Sequence, residues 1–216
     1  MTITIDPSGV RDLDKYFESF PRTAPEAMSI AINDTTRGVA MKAVRREILS
    51  QTNFPAGYLD EPKRLYISRY STPTRLEARI TGRGRGTTLG RFAPLGTPVA
   101  TKGSRARAGG GGITVRVNPG RSKFFAKGFL YQGNSGNILF GLRVRPGERV
   151  RGVDRYSPVV LFRDKKTGLP TAFSLYGPSV DQMLDSVGLQ VAPEITAELE
   201  SEFLRQFTRL SPGRNG

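Results

Sequence analysis

The sequence predicts an α+β fold: a twisted, mostly antiparallel β-sheet packed on a long N-terminal α-helix, with two short C-terminal helices and a long Gly/Arg-rich loop. Three observations lead there. Apolar residues recur at helical spacing only toward the two ends of the chain, over 10–51 and 179–209, whereas 63–176 is filled with short alternating patterns separated by turn residues. Between those patterns, Gly82–Gly112 holds ten glycines and six cations in 31 residues and no acid. With 216 residues and 37% apolar content the chain has enough material for one sizeable core, so we read 1–216 as a single domain.

Thr2–Ile5 alternates like a short strand, and Pro7-Ser8-Gly9 turns the chain after it. Val10, Leu13, Phe17 and Phe20 then share one face of a helix over 10–20 that stops at Pro21. Thr23-Ala24-Pro25-Glu26 has the spacing of a capping box, in which a hydroxyl and a carboxylate satisfy orphan backbone N–H groups, and predicts a helix over 24–51. Its first half is small and apolar, as a core helix requires. Arg37, Lys42, Arg45 and Arg46 gather in its second half, toward the negative end of the helix dipole.

Leu65 and Ile67 against Tyr66, Ser68 and Tyr70, then Leu76, Ala78 and Ile80 against Arg75, Glu77 and Arg79, form a hairpin with one wet face around Ser71–Thr74. The arm over 82–112 follows, with Arg83, Arg85, Arg91, Lys102, Arg105 and Arg107 as candidate residues facing a neighbouring subunit or DNA. Its Gly82–Gly86 run lacks the Gly-Lys-Ser/Thr of a phosphate-binding loop. Ile113–Val117, Phe124–Tyr131 and Ile138–Val144 continue the sheet, and Pro158–Phe162 with Leu169–Tyr176 make another hairpin. Ser179 with Gln182 repeats the capping spacing before a helix over 179–187. Gly188 closes that helix and Pro193 opens the last, over 193–209.

Charge narrows the function. The window Lys63–Arg163 carries 21 Lys and Arg against Glu77, Glu148 and Asp154, while the remainder has 12 cations and 16 acids. A basic middle between more acidic ends favours a polyanion or an acidic protein face as partner. The chain has no His and no Cys, so Ser-His and Cys-His pairs, disulfides and thiolate-held metals are excluded. We therefore expect no enzyme, cofactor or metal site. Asp164-x-Lys166 with Asp154 upstream can be drawn as a carboxylate site for Mg²⁺ in a nuclease, but a charged hairpin turn accounts for the same residues. Aromatic residues beside Lys123, Lys127 and Arg143 offer stacking for bases, or core for the sheet. No apolar run is long enough to span a bilayer and 1–9 lacks the order of a signal peptide, so the cytosol is the expected compartment.

The strand-to-helix junction Phe173–Leu184 is the most distinctive stretch. Its Tyr-Gly-Pro-Ser-Val-x-Gln-Met run (Tyr176, Gly177, Pro178, Ser179, Gln182, Met183), preceded by Gly128–Leu130, Ile138–Val144 and a small-residue helix ending near Arg45-Arg46-Glu47-Ile48, resembles the minor tail protein Z family of lambda-like tailed phages. The similarity spans about 24–187, and the arm is longer and richer in glycine than that family's pattern. The resemblance implies a non-enzymatic virion protein, a tail completion protein at the head-tail junction, assembled in the host cytoplasm beside other neck and tail proteins. A homo-oligomeric ring fits a chain with unlike surfaces, acids (Asp181, Asp185, Glu194, Glu198) meeting the basic arm of the next copy around a lumen for DNA. A tail terminator or other neck ring protein, and a basic nucleic-acid-binding protein, are the alternatives.

Overall fold

The computed structural model describes residues 2–100, 112–134, 136–148 and 154–211. The chain divides into two compact units, one from Met1–Leu49, Leu59–Gly84 and Val180–Gly216, the other from Ser50–Tyr58 and Arg85–Ser179.

In the first unit, β1 (Thr2–Ile5), β2 (Leu65–Arg69) and β3 (Ala78–Gly82) form an antiparallel sheet in the order β1-β3-β2, so β1 and β2 each have one edge unpaired among the described residues. Helix α1 (Leu13–Ser19) leads into α2 (Thr23–Thr35), which continues through a π turn at Thr36–Ala40 into α3 (Met41–Gln51). The small residues Ala24, Ala27 and Ala31 are fully buried in α2 and let α4 (Val180–Leu210) lie close against it. Tyr16 and Phe20 pack edge-on to Phe207 at 5.0 Å, and Tyr16 also meets Phe203, which seats the start of the chain on the end of α4. Asn33 donates to the Ser71 carbonyl and accepts from the Ser71 N–H, tying α2 to the β2–β3 hairpin.

The second unit is built on a five-stranded sheet. Its strands β4 (Val99–Ala100), β7 (Gly128–Gln132), β8 (Ile138–Arg143), β9 (Val159–Arg163) and β10 (Pro170–Ser174) run in the order β4-β7-β8-β10-β9, with a separate pair β5 (Ile113–Val115) and β6 (Lys123–Phe125). All its pairings are antiparallel except β4 with β7. Opposite Phe129 stands Gly141, where an added Cβ would sit 2.3 Å from the Phe129 ring, so the missing side chain is what seats the aromatic.

These elements correct the predicted architecture. The described strands form three sheets rather than one, because alternation fixes which face of a strand is buried but not which strand lies beside it. The long helix packs chiefly on α4, and the five-stranded sheet belongs to the other unit. The two short C-terminal helices are a single helix that runs through Gly188 and Pro193. Its buried side chains Val180, Leu184, Val187, Val191, Ile195, Leu199 and Phe203 keep one stripe across both breakers, and burying that stripe outweighs the cost of a helical Gly and Pro, about 1 and 3 kcal/mol. The N-terminal helix begins at Leu13 rather than 10. The capping box is also absent: Thr23 is already helical and Arg22 stands at the cap without a side-chain bond.

The Gly/Arg-rich loop is replaced over most of its described length by packed chain. Gly82 closes β3, Thr87, Leu89 and Phe92 are buried, and Val99–Ala100 join the sheet. Residues 101–111, with Lys102, Arg105 and Arg107, lie outside the described residues.

Candidate assembly surfaces

The junction residues of the Tyr-Gly-Pro-Ser run are structural where they are described. The Tyr176 N–H donates to the Tyr156 carbonyl at 2.7 Å and the Gly177 N–H to the Thr87 carbonyl at 2.7 Å, while Thr88 bridges Tyr176. At Gly177 an added Cβ would press on Phe92 and Leu89 at 3.2 and 3.3 Å. Pro178 accepts from the Thr87 N–H, and Ser179 is buried just before α4. Gln182 and Met183 follow in the first turn of that helix. The motif thus pins 87–89 to the strand-to-helix turn.

The cations of the arm are dispersed. Arg83 is half-buried and exchanges backbone bonds with Arg64 and Asp181, Arg85 is exposed, and the Arg91 guanidinium lies over the Tyr58 ring at 5.1 Å. Cations elsewhere already stack on the sheet's own rings. Lys123 sits 5.1 Å from Phe125 and 5.0 Å from Tyr156, Arg143 lies 4.7 Å from Phe129, and Lys127 pairs with Glu148 at 2.7 Å. Asp164 accepts from the N–H groups of Lys166 and Thr167 and from the Thr167 hydroxyl, and the Thr167 donors lead in holding its carboxyl below the usual range. Its oxygens are those of a hairpin turn. Among the described residues no three metal-ligating side chains cluster.

Three surfaces stand out instead. The first is the outer edge of β9. This strand pairs only with β10 among the described residues, yet Val159 and Phe162 are 53% and 62% exposed and Val160 is exposed beside them. Arg155, Arg163, Lys165 and Lys166 surround it, all exposed. A long apolar unpaired edge is a template for another strand, and proteins that stay monomeric blunt it. The signal in the sequence was Val159–Phe162 itself, four apolar residues in a row where a half-covered strand alternates.

The second surface is a groove of about 410 Å³ between β1 and α4. Ile3, Leu184, Ile195 and Leu199 give it an apolar floor, Leu189 stands on its rim 90% exposed, and Asp6 and Asp185 supply negative charge. Asp185 has no ion-pair partner among the described residues. The helix and strand run in the same direction here. An added Cβ on Gly82, beside the Thr2 end of β1, would meet Leu184 and Asp181; on Gly188 it would meet Ile3; on Gly9 it would meet Thr196.

The third is a basic groove of about 500 Å³ lined by Arg37, Met41, Lys42, Arg45, Tyr66, Ile67 and Tyr70. The π turn adds a residue to one turn of the helix and sets the faces before and after it at different angles. Its first residue, Thr36, gives its hydroxyl to the Ile32 carbonyl at 2.6 Å. Arg37 lies over the Tyr70 ring at 4.7 Å, and Arg45 bridges to Asp60 at 2.6 Å while its Nε has no partner among the described residues. Sequence reading found these cations but not the tyrosines opposite, because the pairing of α3 with β2 is a tertiary fact.

At the level of class, the molecule is an α+β protein in which β1, β2 and β9 each have an edge unpaired among the described residues, and its first unit carries an apolar and a basic groove. No protein-family model, no curated protein and no solved structure matches the chain. Among the described residues, no helix is long and apolar enough to cross a membrane.

Proposed function

We propose that this chain is a structural virion component, a tail completion protein that acts at the head-proximal end of a long non-contractile phage tail and joins tail to head as a ring of copies. The observation that carries the assembly part is the exposed apolar edge of β9, a surface with the character of an interface rather than of a free exterior. The groove along β1 is unlike it in shape and charge, and two unlike surfaces on one chain support head-to-tail contacts, which close into a ring when the rotation allows. The placement on a phage tail rests on the resemblance carried by Tyr176–Met183. The test is a tag added beyond residue 212, located by gold labelling in micrographs of particles. Label at the head-tail junction supports the reading; functional tagged protein in unlabelled particles overturns it. A tail terminator or other neck ring protein would use the same surfaces.

The basic groove favours a second reading, binding to a nucleic-acid backbone. Arg37, Lys42 and Arg45 suit phosphates, and Tyr66 and Tyr70 are exposed for base or sugar contact. If this is the activity, the protein alone binds DNA with an affinity that falls as salt rises. Replacing the three cations with Ala then lowers the log–log salt slope by about 3, close to one for each phosphate no longer neutralised. An unchanged slope removes this reading.

A further inference from the structure

We infer that the β9 hairpin of one copy adds as an antiparallel strand to the free edge of β1 in the next copy, filling the groove between β1 and α4. This rests on the reading that copies join head to tail and assigns the two faces that do so.

The register follows from charge and shape. Antiparallel addition places Arg163 and Lys165, at the end of β9, against the Thr2 end of β1, where Asp185 stands without an ion-pair partner among the described residues. It carries the opposite end of the strand, preceded by Arg155, toward Ile5 and Asp6. Phe162 then falls opposite Ile3, where α4 presents Gly188 and the exposed Leu189. Parallel addition would leave Asp185 facing the Val159 end of β9, where Asp154 and Arg155 stand side by side and offset each other. Four residues of β1 and five of β9 are of matched length, and main-chain bonds supply attachment while alternate side chains enter the groove. Pairing of β9 with β9 of another copy would cover one apolar edge and leave the acidic groove and Leu189 bare. A single heterologous contact covers both.

The native chain has no cysteine, so the contact can be mapped with single introduced thiols. Leu189→Cys and Phe162→Cys, both exposed positions, are prepared separately, checked for reaction with a simple maleimide, and treated with a short bismaleimide alone and mixed. Cross-linked dimers only in the mixture are expected. Cross-linking of Phe162→Cys by itself shows β9 pairing with β9, and no cross-link in the mixture shows no such contact; either result overturns the inference. As a second measure, Asp185→Lys and Lys165→Glu each weaken self-association about tenfold, and combining them in one chain restores it to within about threefold. Failure of the pair to restore also overturns it. Because these measurements use purified protein, a positive cross-link with gold label absent from the junction overturns the tail reading alone.

Discussion

Single glycines decide how closely elements approach, and their effect depends on what stands opposite. A Cβ at Gly82 would lie 2.8 Å from the Asp181 backbone nitrogen and 2.7 Å from Leu184, and the backbone of a helix start does not yield. Gly82→Ala should cost about 2 kcal/mol and lower the melting temperature. Gly38, with nothing within 4 Å of its Cβ position, should behave oppositely: Ala there stabilises by up to about 1 kcal/mol. Thermal melts of both variants check the pair of signs. Charge at residue scale is equally readable. Lys127 first, then the Arg145 N–H, holds the Glu148 carboxyl below its ordinary value. A lowered folded pKa means the unfolded chain binds the proton more readily. The stability from Glu148 is therefore present above the ordinary carboxylate range and lost as pH falls through that range to the folded value. Glu148→Gln should melt lower than the native chain at pH 7, and together with it once the native carboxyl is protonated in folded and unfolded chains alike. A difference that survives in acid would contradict the assignment.

Among the elements, α4 shows where a sequence rule gives way. Pro193 has no N–H to offer the Leu189 carbonyl, and on propensity alone a helix ends before it. The buried stripe from Val180 to Phe203 continues regardless, because α2 presents small residues along its length and burial there exceeds the local penalty. Pro193→Ala should therefore stabilise, by about 1–3 kcal/mol, raising the melting temperature by roughly 2–4 °C for each kcal/mol. No rise would mean that the helix has already adapted to the proline. The same contrast separates what was legible from what was not. Alternation at Leu65–Tyr70 and Ala78–Ile80 revealed a hairpin, since the period belongs to the strand itself. That β1 pairs with β3, that Val99–Ala100 lie parallel to β7, and that Tyr66 and Tyr70 face Arg37 and Arg45 depend on residues distant in the chain. No local pattern encodes them. The candidate surfaces divide likewise: the basic residues and the apolar run Val159–Phe162 were visible as composition, while that β9 lies at an edge, unpaired on one side among the described residues, follows only from the strand order.

At the scale of the whole molecule, unlike surfaces on one chain limit the size of what they build. A copy that can receive a strand but not offer one ends a growing chain, whereas an isologous contact has no such polarity. Phe162→Lys puts a charge on the strand proposed to enter the groove and leaves the groove's own residues intact; Leu189→Lys does the reverse, setting a cation in the groove against the basic flank of β9. If copies close into a ring as proposed, either variant added in small proportion to the native protein should open it into shorter chains, with mean length falling as its share rises. The two variants mixed with each other should form dimers and stop there, since the one productive contact joins the native β9 of Leu189→Lys to the native groove of Phe162→Lys, and the other sets two lysines against each other. Native mass measurement reads these lengths directly. Dimers formed equally by Phe162→Lys alone would place the contact elsewhere on the molecule, and unchanged rings in the presence of either variant would separate ring closure from β9 altogether.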